Sequence, residues 1–326
     1  MNKELLDYFN GDELAASVWL GKYALKDLQG NYVESTPVDM HIRMAKELAR
    51  IEKEYKQTPE LDPPTWNLLS HFGRHLDPID EDFIFKYFDK FKYIVPQGSI
   101  MSGLGDFYRR KSLSNCFVVP SPLDSYGGIF KTDQEIAQLE KRRGGVGTNL
   151  NSLRPDDTPV LNAAGTSTGA HSFMDRYSNT TREVAQNGRR GALMLLMDCR
   201  HPDIFKFVGK KKDRTKVTGA NISVQLTDKF MEAVKDDKDF ICRFPINTPV
   251  NSQSEIYDSY QYNKLVPHGN GIFTMKIKAK ELFDEIVQNA WDNAEPGLAF
   301  MDTVVNYSPE GVYDQFKPIA SNPCGN

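Results

Sequence analysis

From about residue 91 onward, short apolar runs alternate with stretches whose apolar residues recur every three or four positions. That rhythm limits the fold more than any other feature of the chain. Tyr93-Ile94-Val95-Pro96, Asn115-Cys116-Phe117-Val118-Val119, Leu193–Met197 and Asn221-Ile222-Ser223-Val224 predict strands. Between them lie helical patterns. Thr132-Asp133-Gln134-Glu135 has the form of a capping box and predicts a helix through about Arg143. Phe173, Tyr177 and Val184 mark a second helix, and Phe230 and Val234, after Asp228, a third. Leu282, Ile286 and Ala290, flanked by Phe283, Val287 and Trp291, mark the last. Gln97–Gly103 reads as a loop, and the polar stretch Ser254–Phe273 as an excursion that has room for a hairpin. Strand, helix, strand at this spacing predicts a parallel α/β sheet or barrel. Such folds carry their chemistry at the C-terminal ends of the strands.

Residues 1 to about 90 have a different grammar. Asp12–Leu20 predicts a short amphipathic helix. Pro37 and Asp39 open a longer one, with Met40, Met44, Leu48, Ile51 and Tyr55 on one face. Pro59, Pro63 and Pro64 close it, and two more helical pieces follow near Trp66–Phe72 and Glu81–Phe91. The expected division is a helical domain over 1–90 and an α/β domain over 91–326. The net charge of −4 gives no electrostatic reason to expect a nucleic-acid partner. No apolar run is long enough for a membrane span, and the N-terminus has no apolar signal region, so a cytoplasmic protein is expected. The four cysteines, Cys116, Cys199, Cys242 and Cys324, form no C-x-x-C pair, so neither a zinc site nor a structural disulfide framework is expected.

Several short motifs each admit two readings. In Ser321-Asn322-Pro323-Cys324-Gly325-Asn326, Pro323 fixes one backbone angle and Gly325 frees another, so Cys324 sits on a stiff turn. Such a thiol is either presented for chemistry or packed as a small hydrophobe. Cys116 starts a strand, the usual place of an inert core cysteine. Gly144-Gly145-Val146-Gly147 after Lys141-Arg142-Arg143 fits a phosphate approach or a helix C-cap and turn. Asn187-Gly188-Arg189-Arg190-Gly191 is a second basic turn, one arginine of which reads as structural. Lys210–Gly219 is a solvated charge run or a mobile nucleotide-sensing loop. Asp124-Ser125 either binds a ribose or caps a turn.

Taken in order, Ser112-Leu113-Ser114-Asn115-Cys116-Phe117-Val118, Lys141–Gly147, Ser167-Thr168-Gly169, Arg189-Arg190-Gly191-Ala192 and Ser321–Gly325 resemble the catalytic α chain of ribonucleotide reductase. The likeness extends to Gly11-Asp12-Glu13-Leu14, with no preceding ATP-cone domain. It implies an N-terminal helical domain followed by the first half of a ten-stranded α/β barrel that ends in a finger loop. It further implies that Cys324 becomes a thiyl radical and removes the substrate's 3′ hydrogen. Asn322 would bind the ribose hydroxyls, and Cys116 would be one of two thiols that reduce the 2′ position and end as a disulfide. Ser99, Ser114, Asn115, Gly144 and Gly145 would contact the substrate ribose and phosphate. Asp124, Ser125, Arg154 and Lys216 would serve a dNTP or ATP specificity effector, and a loop over about 210–220 would relay its identity. Helices near 132–143 and 171–186 would form a homodimer interface.

The departures from the family pattern carry their own expectations. Asn326 stands where the family has a glutamate base. The partner thiol of Cys116, the second half barrel and the C-terminal shuttle cysteines are absent from the sequence, which implies an N-terminal half that needs a complementing C-terminal half. A split gene, an intein-interrupted gene or a truncation would each produce it. The Pro and Gly flanking Cys324 resemble the adenosylcobalamin-dependent class, with a metal-containing β subunit as the alternative radical source. Diphosphate substrates and thioredoxin or glutaredoxin as reductant follow from the resemblance. The competing expectation is a catalytically incomplete nucleotide-binding and dimerisation module.

Overall fold

The computed structural model describes residues 2–56, 79–160, 162–184, 191–244, 273–313 and 316–324. The chain divides into two compact units, Met1–Asn115 and Cys116–Asn326. Trp66–Phe72, Asn187–Arg190, the excursion over 254–272, Gly325 and Asn326 lie outside the described residues.

The first unit is helical. Asp12 caps the helix Glu13–Lys22 by accepting the Ala15 N–H. Pro37 stands at the first position of the long helix Pro37–Lys56, where its missing N–H costs nothing. Met40, Met44, Ala45 and Ala49 bury one face of it against Ile84 and Phe88 of the helix Glu81–Phe88. Arg43 ties the packing together by donating to the carbonyls of Met101 and Leu104 while pairing with Glu34. Two expectations fail here. Tyr93–Pro96 is not a strand: its apolar side chains are exposed, and the Ile94 N–H donates to Tyr87 instead of to a ladder. The expected loop at 97–103 is a short helix, Gly98–Gly103, that buries Ser99, Met101 and Ser102.

The second unit is built on a five-stranded, all-parallel sheet: β1 (Cys116–Val118), β2 (Gly145–Asn149), β3 (Leu193–Asp198), β4 (Ala220–Leu226) and β7 (Gly297–Phe300). Spatial order follows chain order, as in the first half of an α/β barrel. A two-stranded antiparallel ribbon, β5 (Asp239–Phe244) with β6 (Phe273–Lys278), is inserted between β4 and β7. On β2, β3 and β4 the period of two sends Val146, Leu193, Leu195, Met197, Ile222 and Val224 to the helical side. There they meet Ile136, Tyr177, Phe207, Phe230, Leu282 and Ile286 from the surrounding helices. The central strand β3 is buried along its whole length, hence its unbroken apolar run.

The expected strands at Leu193–Met197 and Asn221–Val224 are present, whereas β1 is shorter and less buried than the apolar run suggests. The helix expected from Thr132 starts earlier, as Tyr126–Glu140. Ser125, not Thr132, caps it by accepting the Gly128 N–H at 3.0 Å. Gly128 is required there, since a Cβ would stand 2.5 Å from the Leu123 carbonyl oxygen. Lys210, Lys211 and Lys212 are pinned rather than merely solvated, pairing with Asp175, Glu295 and Glu285.

Candidate active site

The site is assembled on the bare inner face of β2. Positions 145, 147 and 149 point to that face, opposite Val146. The segment 319–323 runs antiparallel along it, two residues to every two. Asn149 binds the Ile319 carbonyl at 2.8 Å. A Cβ on Gly147 would lie 1.9 Å from the Ser321 carbonyl oxygen, and one on Gly145 would lie 3.1 Å from the Pro323 ring. Any side chain at 147 would therefore collide with backbone, which only glycine avoids.

This track delivers Cys324 to Cys116, the first residue of β1, whose register partner is Gly145. The two Sγ atoms stand 3.3 Å apart, in contact but well beyond the roughly 2.05 Å of a covalent bond. Cys324 is exposed and Cys116 half-buried. Asn322 Oδ1 accepts the Cys324 N–H at 3.0 Å, an Asx turn that stiffens the approach. The sulfur pair lies at the N-terminal ends of β1 and β2, not at the C-terminal strand ends expected from the fold class. The reason is the antiparallel course of 319–323, which enters at the C-terminal end of β2 and carries the cysteine to the other. Two adjacent thiols at a solvent-accessible position suit radical or disulfide chemistry more than packing.

Asp124, Ser125 and Arg154 come together in a second place. They line one pocket with Tyr126, Leu153, Ser167, Thr168 and Phe173. Arg154 donates from its backbone N–H to Asp124 Oδ1 at 3.0 Å and from Nε to Oδ2 at 2.9 Å. Burial pushes the Asp124 carboxyl upward, and the guanidinium pulls it back. Lys216 is exposed on a turn and is not among the lining residues. The neighbouring residues dock on the helix Met174–Glu183: the Val217 N–H donates to Asp175 and the Gly219 N–H to Ser178.

The remaining expected residues divide between the units. In the first, the Asn115 carboxamide is committed to the Gly98–Gly103 helix, accepting from the Ser99 N–H at 3.0 Å and from its hydroxyl, and donating to Gln97. Ser114 belongs to a local turn with Ser112. In the second, Gly144 is crowded by Phe117 and Gly145 by Pro323, and Gly145 opens the strand β2. Asn149 and Gln225, both bound to Ile319, carry no sequence signal beyond their position in strands.

The family model for the ribonucleotide reductase barrel domain matches residues 114–326. A vitamin B12-dependent ribonucleoside-diphosphate reductase from Thermoplasma acidophilum is 30% identical over 350 aligned positions, covering 95% of this chain and 42% of the relative. One of the same description from Mycobacterium tuberculosis is 33% identical, covering 65% of this chain and 27% of the relative. The ribonucleoside-diphosphate reductase large subunit of Caenorhabditis elegans is 27% identical over 59% of this chain and 25% of its own length. The chain thus spans less than half the length of these relatives.

Proposed function

Because the chain belongs to the ribonucleotide reductase family, we propose that it supplies the radical-bearing half of an enzyme that reduces ribonucleoside diphosphates, and that a C-terminal half completes it. The observation that carries this reading is the 3.3 Å approach of Cys116 to Cys324, from opposite ends of the second unit. Adenosylcobalamin, if bound, would supply radical chemistry by which the Cys324 thiol would become a sulfur radical. Its fit rests on the exposure of that sulfur, which a hydrogen-abstracting cofactor must reach. A metal-containing β subunit is the alternative source, and the B12-dependent relatives favour the cofactor.

The protein's own residues then act in sequence. The Cys324 sulfur radical removes the 3′ hydrogen of the ribose and later returns it. Cys116 and a thiol from the complementing half give two electrons and two protons to the 2′ position, water leaves, and the two sulfurs join as a disulfide. Thioredoxin or glutaredoxin reduces that disulfide. Asn322, Ser99, Ser114, Asn115, Gly144 and Gly145 belong to the substrate contacts of this reading, and Asp124, Ser125, Arg154 and Lys216 to the dNTP or ATP effector site. A homodimer across the helices Tyr126–Glu140 and Met174–Glu183 is supported by half-exposed Tyr126 and Phe130, with Arg176 stacked 4.4 Å from the Phe130 ring centroid.

Complementing the 326-residue chain with the missing half of a B12-dependent relative, plus adenosylcobalamin and a dithiol, tests the proposal. Deoxyribonucleoside diphosphate should form, and only when both halves are present. Steady turnover by residues 1–326 alone would refute the need for a C-terminal half, and no turnover with any radical source would refute the activity.

A further inference from the structure

The segment that carries Cys324 is held at one point by two side-chain amides at once. The Ile319 carbonyl accepts from Asn149 Nδ2 of β2 and from Gln225 Nε2 of β4, each at 2.8 Å. Both amides are buried, at 4% and 2% exposure, so neither contact competes much with water. Their orientation is fixed by neighbours. Asn149 Oδ1 accepts the Asn151 N–H at 3.1 Å and the Ser121 hydroxyl at 2.8 Å, which turns Nδ2 toward Ile319. Asn151 Oδ1 accepts the Asp198 N–H at 2.8 Å, so its Nδ2 donates to Gln225 Oε1 at 2.7 Å and leaves Gln225 Nε2 for the same carbonyl. Backbone N–H groups of the barrel frame thus dictate, through three amides, where donors meet the incoming segment. No step in the proposed chemistry uses Asn149, Asn151 or Gln225.

We propose that Asn149 and Gln225, oriented by Asn151, form a clasp that sets the register of segment 319–324 on β2 and thereby positions Cys324 against Cys116. Gly147 is the second half of the device, because its missing side chain lets the Ser321 carbonyl lie flat on the strand. These are positioning residues. The clasp determines where the radical sulfur stands along β2, since a slip of one residue would move Cys324 by about 3.3 Å along the strand and out of contact with Cys116. Its catalytic value rests on the reductase reading above, whereas its structural role does not.

The test uses the intact 326-residue chain. Diamide takes two hydrogens from the two thiols and leaves a Cys116–Cys324 disulfide, which peptide mass spectrometry quantifies against time. Asn149→Asp and Gln225→Glu each keep side-chain size but set an acceptor against the Ile319 carbonyl, and each should slow the crosslink about tenfold. Gly147→Ala should do the same from the other side. Alkylation of Cys324 by iodoacetamide should stay within about twofold of the parent, which separates lost alignment from lost exposure. Gln225→Met removes the donor without adding charge and serves if the carboxylates prevent folding. Folded variants that crosslink at the parent rate, or a parent chain that forms no such disulfide, would overturn the clasp. Clasp-dependent crosslinking with no turnover in the complemented enzyme would instead sink the reductase reading alone.

Discussion

The second unit holds two pairs of cysteines, and their surroundings are opposite. Cys116 and Cys324 meet sulfur to sulfur where segment 319–324 reaches the N-terminal end of β2, one half-buried and one exposed. Cys242 on β5 and Cys199 on the turn after β3 have no exposure at all, and the Cys242 thiol donates to the Cys199 carbonyl at 3.4 Å. Burial pushes the Cys242 thiol up to about 12 and moves Cys199 the same way, with Asp198 adding to both. The first pair joins β1 to segment 319–324, with a glycine track and the proposed clasp to align it. The second is part of the core and belongs to the same apolar cluster as Phe230 and Ile277. The residue type is the same, so location in the fold decides whether a thiol is reachable or sealed.

The sharpest way to break this contrast is by substitution in the complemented enzyme. Under the proposed reading, Cys324→Ser and Cys116→Ser should each reduce deoxynucleotide formation to background, because each removes a sulfur that the proposed chemistry consumes or regenerates. Cys199→Ser and Cys242→Ser should keep kcat within about twofold, since neither sulfur reaches solvent. Product assays under matched protein concentration decide it, and loss of turnover in Cys242→Ser at normal folded content would erase the distinction. A second, smaller effect needs no activity. In the native chain, iodoacetamide should label Cys324 at least about a hundredfold faster than Cys199 or Cys242, which react only through opening of the fold. Peptide-resolved mass spectrometry reads the ratio, and comparable rates would mean that the ribbon does not seal the inner pair.

Much of this arrangement is written in the sequence, and what is not has physical causes. The strands around Leu193–Met197 and Asn221–Val224 are legible because buried parallel strands are continuously apolar. The convergence of Cys116 and Cys324 came from motif order, since no periodicity links residues 208 positions apart. The helix at Tyr126–Glu140 hid its start behind Gly127 and Gly128, which usually argue against helix, yet Gly128 is needed for the close approach to Leu123. Tyr93–Pro96 has strand composition but pairs with no strand among the described residues, showing that propensity yields to tertiary context. β7 leaves no strand signal in the sequence, because Gly297–Phe300 is short and largely exposed. The clasp was invisible, because an amide within a strand looks the same whether it faces solvent or grips a carbonyl.

A third prediction sharpens the contrast through pH. Cys242 ionises near 9.0 in the unfolded chain and near 12 in the folded one. The folded state therefore keeps a proton that the unfolded chain releases. Its contribution to stability is complete below pH 9 and is lost as pH rises toward 12, at about 1.4 kcal/mol per pH unit within that window. Cys199 acts in the same direction. Unfolding free energies from urea titration should change little between pH 8 and 9 and fall between pH 9 and 11, and Cys242→Val should reduce that fall without abolishing it, since Cys199 remains. Cys116→Ser should leave the slope unchanged; a slope that follows the outer pair instead would reverse the assignment of which sulfurs are sealed.

The smallest effect concerns what the inner pair is for. If Cys242 is only packing, a change that keeps its volume and its one hydrogen bond should cost little. Serine is nearly isosteric, and its hydroxyl can still donate to the Cys199 carbonyl. What is lost is the weak polarity of sulfur in an apolar site, where a hydroxyl is less welcome. Cys242→Ser should therefore destabilise by about 1 kcal/mol, and Cys242→Ala, which abandons both the bond and the volume, by about 2 kcal/mol. Denaturant titration of the two variants at pH 7 measures the difference. Equal losses would show that the hydrogen bond to Cys199 adds nothing. A serine variant less stable than the alanine variant would mean that the site rejects polarity outright, so that β5 is held to the turn at Cys199 by apolar contact alone.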